Sequence, residues 1–412
     1  MTAEPPVIII GAGLAGLSCA VQLHEKGIPV MLLEASDGIG GRVRTDEVDG
    51  FLLDRGFQVY LDAYPEAGKL LDLDALDLQA FEPGALVFRG GKLHRVMDVF
   101  RRPLSVIQSA FAPIGTLGDK LKVALLRHQV LKQSIKSTDQ TTERFLRNFG
   151  FSERMIDVFF RSFYGGIFLE KDLRTSSKMF EFTFRMFSCG SATLPAKGME
   201  AIPRQLATRL PAHAIHLHSA VAQINGHEVT LSNGEVIKGQ QIVVATEASQ
   251  TAKLVPNFKS QAPSWRAVTN LYFAAKKSPL NEPIIALNGS GQGLINNVCV
   301  LSDVAPGYAP KDQALLSISL LGKHEEKELS DIVKKELHAW FGEQVQDWRH
   351  LRTDLIRQAL PEQPPNHSSP GYLRLGPTWL CGDHTTTASI EGAIISGTRT
   401  ATAVASELAS NP

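Results

Sequence analysis

Three glycines and one acid stand in register near the start of the chain. Gly11, Gly13 and Gly16 fall in Gly11-Ala12-Gly13-Leu14-Ala15-Gly16, and Glu34 follows 23 residues after the first of them. This spacing serves the binding of a dinucleotide. Gly11 makes a tight turn, Gly13 lets backbone approach a pyrophosphate, and Gly16 lets a helix pack closely on a strand. Leu14 and Ala15 open that helix, whose free N–H groups and positive dipole end suit phosphate oxygens. Glu34 sits where a carboxylate accepts hydrogen bonds from a ribose diol, which favours NAD or FAD over NADP.

A second cluster, Ala35-Ser36-Asp37-Gly38-Ile39-Gly40-Gly41-Arg42, follows directly. In a simple NAD dehydrogenase the strand ending at Glu34 leads into another helix of the sheet. Here a glycine loop and a cation return toward the phosphates. Gly40 and Gly41 let backbone pass close to a ligand, and Arg42 is placed to pair with a pyrophosphate.

These groups need a scaffold, and the flanking residues supply one. Val7–Ile10 is a β-branched run of the kind buried on both faces of a parallel sheet. Leu14, Leu17 and Val21 recur at helical spacing, Gly27 stops that helix, and Val30–Leu33 reads as the next strand. The 412-residue length suits two intertwined domains. A formal net charge of zero gives no sign of a nucleic-acid partner. The four cysteines, Cys19, Cys189, Cys299 and Cys381, are widely spaced, which argues against a zinc site or a disulfide framework and fits a reducing compartment. No run approaches the roughly 18 apolar residues of a membrane span, and the short acidic start does not read as a targeting peptide. The expectation is a cytoplasmic protein, with contact at a membrane surface left open.

The two clusters together resemble the N-terminal FAD signature of the flavoprotein amine oxidase superfamily, which includes monoamine and polyamine oxidases, protoporphyrinogen oxidase and the phytoene and carotene desaturases. Residues 51–60, FLLDRGFQVY, resemble the family's next segment. Near the far end, Trp379-Leu380-Cys381-Gly382-Asp383 leads through HTTT to Ser389-Ile390-Glu391-Gly392-Ala393 and a helix running to about Leu408. The resemblance implies that Gly382 and Asp383 approach the ribityl chain, and that Ser389, Ile390 and Ala393 start a helix facing the flavin. A helix N-terminus there stabilises negative charge on a reduced flavin. A third piece, PAKGM at 195–199 followed by short strands at 220–224, Glu228–Leu231 and 235–238 and a return strand at 241–245, resembles the family's meander. The asparagine–glycine pairs between its strands are hairpin signals, and Val221 is the residue matched to the adenine side.

The implied fold is α/β: a Rossmann-type FAD-binding domain, parallel sheet plus β-meander, with an inserted α+β substrate domain. Residues 1–60, 191–262 and 371–412 are assigned to the first, and 61–190 and 263–370 to the second. The first insertion reads as mainly helical, at 104–110, 117–133, 141–149 and 153–163. The second reads as strands at 267–274, 284–286, 298–302 and 315–320, with a helix near 325–341. Residues 358–370 read as a crossing linker. Eleven of the 20 phenylalanines fall within 145–187. Phe180, Phe182 and Phe184 alternate with polar residues at a strand-like period of two, and the group reads as core or as the wall of an apolar tunnel. Residues 95–113 mix basic and large apolar side chains, as in a helix packed on the core or one lying on a membrane surface.

In such a family the flavin carries the redox chemistry and the protein positions the substrate. Amine oxidases commonly keep a lysine near flavin N5; here Thr269 or Asn270 stands at that place, with Lys276 and Lys277 beyond the strand. The position of their amine-caging aromatic residue holds Ser389. Residues 352–378 contain no cysteine for covalent attachment, so non-covalent FAD is expected. These features place the chain nearer the desaturases: an FAD-dependent oxidoreductase taking hydride from a hydrophobic, isoprenoid- or carotenoid-like molecule, or isomerising it, with quinone or oxygen as electron acceptor. Arg55, Gln58 and Asn270 are the candidate polar groups beside the flavin, and no metal is expected. Two alternatives stay open: an amine or amino-acid oxidase caged by Tyr60, Tyr164 or Tyr272, and a flavin-binding protein without turnover.

Overall fold

The computed structural model describes residues 4–98, 101, 115–136, 138–367 and 370–410. The helix expected at 104–110 and most of the segment 95–113 lie outside the described residues.

Val7–Ile10 is fully buried and pairs in parallel with Val30–Leu33 on one side and Gln241–Val244 on the other. This makes it the centre of a six-stranded sheet. Its order runs Ile215–His216, Val30–Leu33, Val7–Ile10, Gln241–Val244, Thr378–Leu380, Leu373–Leu375, and only the last pairing is antiparallel. Residues more than 200 positions apart are thus neighbours, which is how the two ends of the chain come to serve one site. Helix Leu14–His24 leaves the central strand and packs on the C-terminal helix Ile390–Ser410. Contact is close because Gly397 has no side chain: a Cβ there would stand 2.1 Å from the Ala15 carbonyl oxygen. The expected meander is present as Val221–Asn225, Glu228–Leu231 and Val236–Lys238.

A second sheet has seven strands in the order Arg349–Pro361, Trp265–Ala275, Ala314–Leu321, Ile295–Val300, Ile285–Asn288, Gly84–Arg89, Lys92–Met97. All its pairings are antiparallel except Ile285–Asn288 with Gly84–Arg89. Both insertions therefore build one sheet. The reading of 61–190 as mainly helical missed Leu78–Ala80, Gly84–Arg89 and Lys92–Met97. Residues 358–361 belong to the long strand Arg349–Pro361, so the linker reading fails there.

Helices Leu117–Leu131, Thr142–Phe149, Arg161–Phe168 and Ser177–Cys189 cover this second sheet. The last corrects the strand-like reading of Phe180, Phe182 and Phe184. The Ser176 hydroxyl accepts from the Lys178 N–H and caps the helix start. Phe180, Phe184 and Phe187 then fall at i, i+4 and i+7 on one face, while Phe182 turns away to stack on Tyr64 with ring centroids 6.1 Å apart. Tertiary packing of that face outweighed an alternation only three residues deep.

Candidate functional site

The two glycine clusters are in direct contact. The Gly40 N–H donates to the Ala12 carbonyl at 2.7 Å, Gly13 and Gly40 form an isolated parallel bridge, and a Cβ on Gly41 would lie 3.4 Å from the Gly13 Cα. Gly40 has a φ of +101°, where a Cβ would come within 2.3 Å of the Val43 carbonyl oxygen, so only glycine makes this turn without strain. Glu34 fastens the assembly. One carboxylate oxygen accepts from the Ala12 N–H at 2.7 Å, and the other from the Ser36 N–H at 2.9 Å and hydroxyl at 2.8 Å.

A continuous cavity of about 1600 Å³ starts at this junction. Gly11, Gly13, Leu14, Ala15, Glu34, Ala35, Gly40, Gly41, Arg42 and Val221 line its first part, with Gly382, Asp383, Ser389, Ile390 and Ala393 from the far end of the chain. Gly16 lies outside it: a Cβ there would stand 1.9 Å from the Gly11 carbonyl oxygen, so its service is helix-to-turn packing. The other part of the cavity is walled by Phe159, Phe163, Phe184, Phe187, Ile285 and Leu287. The volume exceeds the roughly 300–1000 Å³ of ordinary ligand sites and has room for a dinucleotide and a second molecule.

The residues fit FAD. A Cβ built on Gly13 meets no protein atom within 4 Å and would project into the cavity, leaving a cradle for a phosphate. The helix beginning at Leu14 has no side-chain cap on its first turn, so its N–H groups are available to an anion. Glu34 and the start of helix Ile390–Ser410 complete a polar strip along the same wall.

Arg42 joins the two ends of the site. Its guanidinium donates to Asp383 at 2.7 Å and to the Ala359 carbonyl at 2.9 Å, and lies over the Trp265 ring at 5.4 Å. Burying the cation is the largest single effect and lowers its pKa, but attraction to Asp383, the hydrogen bond to it and attraction to Glu247 together outweigh that cost and raise it. Gln58 donates to the backbone carbonyls of Arg42 and Arg55 at 2.8 and 3.0 Å, holding the loop that presents both arginines. Arg55 lines the cavity and pairs loosely with Asp46 at 3.5 Å.

Asn270 does not line the cavity, contrary to its expected place beside the flavin. It is fully buried within the seven-stranded sheet, where its Oδ1 accepts from Ser317 and Ser319 at 3.0 Å each. Asn270 is paired across with Ser319 and so shares its face of the sheet, but the amide is covered and bonded by the Ser317 and Ser319 hydroxyls and only Ser319 reaches the cavity. Of the three proposed cage tyrosines, Tyr164 lines the cavity and Tyr60 and Tyr272 do not. The Tyr272 hydroxyl is spent on the Asp54 carbonyl at 2.7 Å. Sequence reasoning missed Asn296, Asn297 and Ser319 in the cavity wall, since polar residues inside apolar strands carry no local signal.

Two buried titratable groups brace the site with opposite pH responses. Asp54 accepts from Thr45, from the Met199 N–H at 3.0 Å and from the Tyr308 hydroxyl at 2.8 Å, tying three chain segments together. Desolvation raises its pKa to about 6 against these bonds. His384, next to Asp383, is 5% exposed, packs on Phe258 and has no hydrogen-bond partner on either ring nitrogen. Desolvation lowers its pKa to about 4, with Arg42 adding to the effect and Asp383 opposing it. Between pH 4 and 6.5 the unfolded chain protonates this histidine and the fold does not, so stability rises with pH. Between about 3.8 and 6 the fold holds a proton on Asp54 that the unfolded chain has lost, so stability falls with pH. Each effect is worth about 3 kcal/mol over its window, and the two nearly cancel. His384→Phe is expected to unmask the Asp54 effect: relative to the native chain, its urea stability should gain about 3 kcal/mol on going from pH 6.5 to pH 4. A difference independent of pH would show that His384 is protonated in the fold.

Among the described residues no group of three or more histidine, cysteine, aspartate or glutamate side chains is arranged to hold a metal, and no helix is long and apolar enough to cross a membrane.

The family model described as "Flavin containing amine oxidoreductase" matches residues 14–405. The chain is 28% identical over 167 residues to protoporphyrinogen oxidase 2 of Arabidopsis thaliana, covering 39% of this chain and 32% of that protein. It is 47% identical over 57 residues to the lycopene-forming phytoene desaturase of Pantoea ananas, covering 14% and 12%. These alignments span a third or less of the relatives' lengths. A solved structure of a putative protoporphyrinogen oxidase from Exiguobacterium sp. 255-15 superposes with a TM-score of 0.76 at 17% identity, covering 99% of this chain and 100% of that one, a likeness of fold.

Proposed function

We propose a substrate class from one premise: the chain belongs to the flavin-containing amine oxidoreductase family, and its cofactor is FAD. The protein is an oxidoreductase that dehydrogenates, or isomerises, a hydrophobic isoprenoid-like small molecule on non-covalently bound FAD. The observation that supports this is the continuity of the cavity, from the glycine junction into a chamber walled by phenylalanine, isoleucine and leucine.

When bound, FAD supplies the hydride acceptor, and quinone or oxygen takes the electrons onward. The chain's own residues bind and orient. Gly11, Gly13, Gly41 and the first turn of helix Leu14–His24 cradle the pyrophosphate, Glu34 takes the ribose, and Val221 lies on the adenine side. Asp383, held by Arg42, is the ribityl partner, and helix Ile390–Ser410 presents its N-terminus to the isoalloxazine. Arg55 is a polar group beside it, and Gln58 acts through the backbone it holds. The chamber keeps water from the reacting carbon and holds the substrate by area.

Leu117 and Leu121 line the cavity and are 71% and 74% exposed, with Leu125 following at 49% on the same helix face. This apolar edge supports entry of substrate from a membrane surface on the cytoplasmic side. Liposome flotation should recover the native protein, and Leu117→Glu/Leu121→Glu should release it; equal recovery removes the membrane reading.

Anaerobic mixing of the flavoprotein with polyenes, quinols, porphyrinogens and amines tests the substrate. Bleaching of the visible flavin band is expected with an apolar polyene. Bleaching by amines alone, with hydrogen peroxide released on adding air, would establish the amine oxidase reading instead. A full flavin complement that nothing reduces would favour a flavin-binding protein without turnover.

A further inference from the structure

The wall of the chamber carries a buried polar patch without charge. Asn296 and Asn297, on the fully buried strand Ile295–Val300, and Ser319, on Ala314–Leu321, all line the cavity while being 9% or less exposed. They form an ordered chain. Asn296 Nδ2 donates to Asn297 Oδ1 at 3.0 Å and to the Ser162 carbonyl at 3.4 Å. Asn297 Nδ2 reaches Ser319 Oγ at 3.5 Å, and Ser319 donates to Asn270 Oδ1 at 3.0 Å, which also accepts from Ser317. Asn270 therefore orients the serines from the next place in the same cross-strand row, out of reach of the cavity.

The helix above has room made for this patch. A Cβ on Gly166 would come within 2.7 Å of Asn296 Nδ2 and 3.5 Å of Asn297 Oδ1. Placing two amides against a wall of isoleucine, leucine and phenylalanine is costly unless their polar atoms are matched. The internal bonds use both Asn296 donors and the Asn297 acceptor. On the two lining asparagines they leave Asn296 Oδ1 as an acceptor and one Asn297 N–H as a donor; Asn270 Nδ2 is buried without a partner, and none of the five side chains is charged.

We propose that Asn296, Asn297 and Ser319 form a specificity site for an uncharged hydroxyl group on an otherwise apolar substrate. Asn270 is its positioning residue. A hydroxyl donates once and accepts, which matches the two free functions. A carboxylate or ammonium would find no counter-charge among the five. This inference rests on the apolar-substrate reading above and adds to it a polar handle away from the reacting carbon.

The test uses the flavin-loaded protein and three matched probes: a C15 isoprenoid alcohol, its hydrocarbon and its carboxylic acid. Binding is read from the perturbation of the flavin visible spectrum and checked by calorimetry, so turnover is not needed. The alcohol should bind about tenfold more tightly than the hydrocarbon, the worth of one or two net hydrogen bonds, and more tightly than the acid. Asn297→Leu and the milder Ser319→Ala should reduce the alcohol's advantage to less than about threefold, with flavin content unchanged and hydrocarbon affinity undiminished. Asn270→Ser should reduce it partly. Equal binding of alcohol and hydrocarbon by the native protein, an advantage that survives both variants, or preference for the acid would overturn the hydroxyl site and leave the apolar-substrate reading standing. Binding of none of the three by fully flavinated protein would overturn both.

Discussion

Gly13→Val is expected to give a folded, colourless protein, whereas Gly16→Val is expected not to fold. The two glycines belong to one motif but answer to different physical demands. Gly13 has φ −74° and ψ 178°, an extended conformation open to any residue, and a Cβ there meets no protein atom within 4 Å. Loss of glycine at this N-cap costs the helix about 1 kcal/mol or less, so the fold survives. The added isopropyl group fills the cradle that backbone and helix N-terminus offer a phosphate, and FAD affinity should fall by on the order of 100-fold or more. At Gly16 a Cβ would overlap the Gly11 carbonyl oxygen at 1.9 Å, and the Ala245 side chain stands 3.3 Å away. Backbone cannot yield there without breaking the turn. Circular dichroism and the visible spectrum of both purified variants check this. Normal flavin content in Gly13→Val would move the pyrophosphate elsewhere and undo the site assignment.

The second large effect concerns the joint between the helical cover and the seven-stranded sheet. Arg266, on strand Trp265–Ala275, forms an ion pair with Glu170 at 2.9 Å and donates to the Phe168 carbonyl at 2.8 Å and to the Thr175 hydroxyl at 2.9 Å. Arginine and glutamate side chains are 9% and 6% exposed. Glu170 in turn accepts from the Thr175 N–H and hydroxyl at 2.6 and 2.7 Å. Arg266→Met leaves the buried Glu170 carboxylate with only the exposed Arg174 as a cation, 3.7 Å from its Oε2, and should cost about 3 kcal/mol in urea unfolding. Glu170→Gln added to it removes the orphaned charge, and the double variant should recover much of the loss. A single-variant cost below about 1 kcal/mol would mean that water reaches this pair and screens it.

Much of the site was legible because dinucleotide binding is served by local chemistry. A tight turn, a helix N-terminus and an acid at the end of the next strand all come from residues 7–34, and the bonds that realise them span at most 22 positions. Glycine clusters are likewise readable, since the left-handed φ of Gly40 and the close approach at Gly41 leave a residue-type signature. The chamber was not readable in this way. Phe180, Phe182 and Phe184 carry the same alternation whether they are strand or helix, and the Ser176 cap with the packing of one face decides the matter.

By itself, then, the order of residues determined an α/β fold and FAD as the cofactor, because the glycine turn, the helix start and the acid after the next strand lie within residues 7–34. Tertiary structure alone decided that Arg42 and Asp383, 341 positions apart, are ion-pair partners. It alone also decided that Asn296, Asn297 and Ser319 reach the cavity surface while Asn270, in the same cross-strand row as Asn297 and Ser319, stays covered. Which face of a buried strand meets a cavity depends on register against strands far away in sequence, and a strand buried on both faces has no polar–apolar alternation to reveal it.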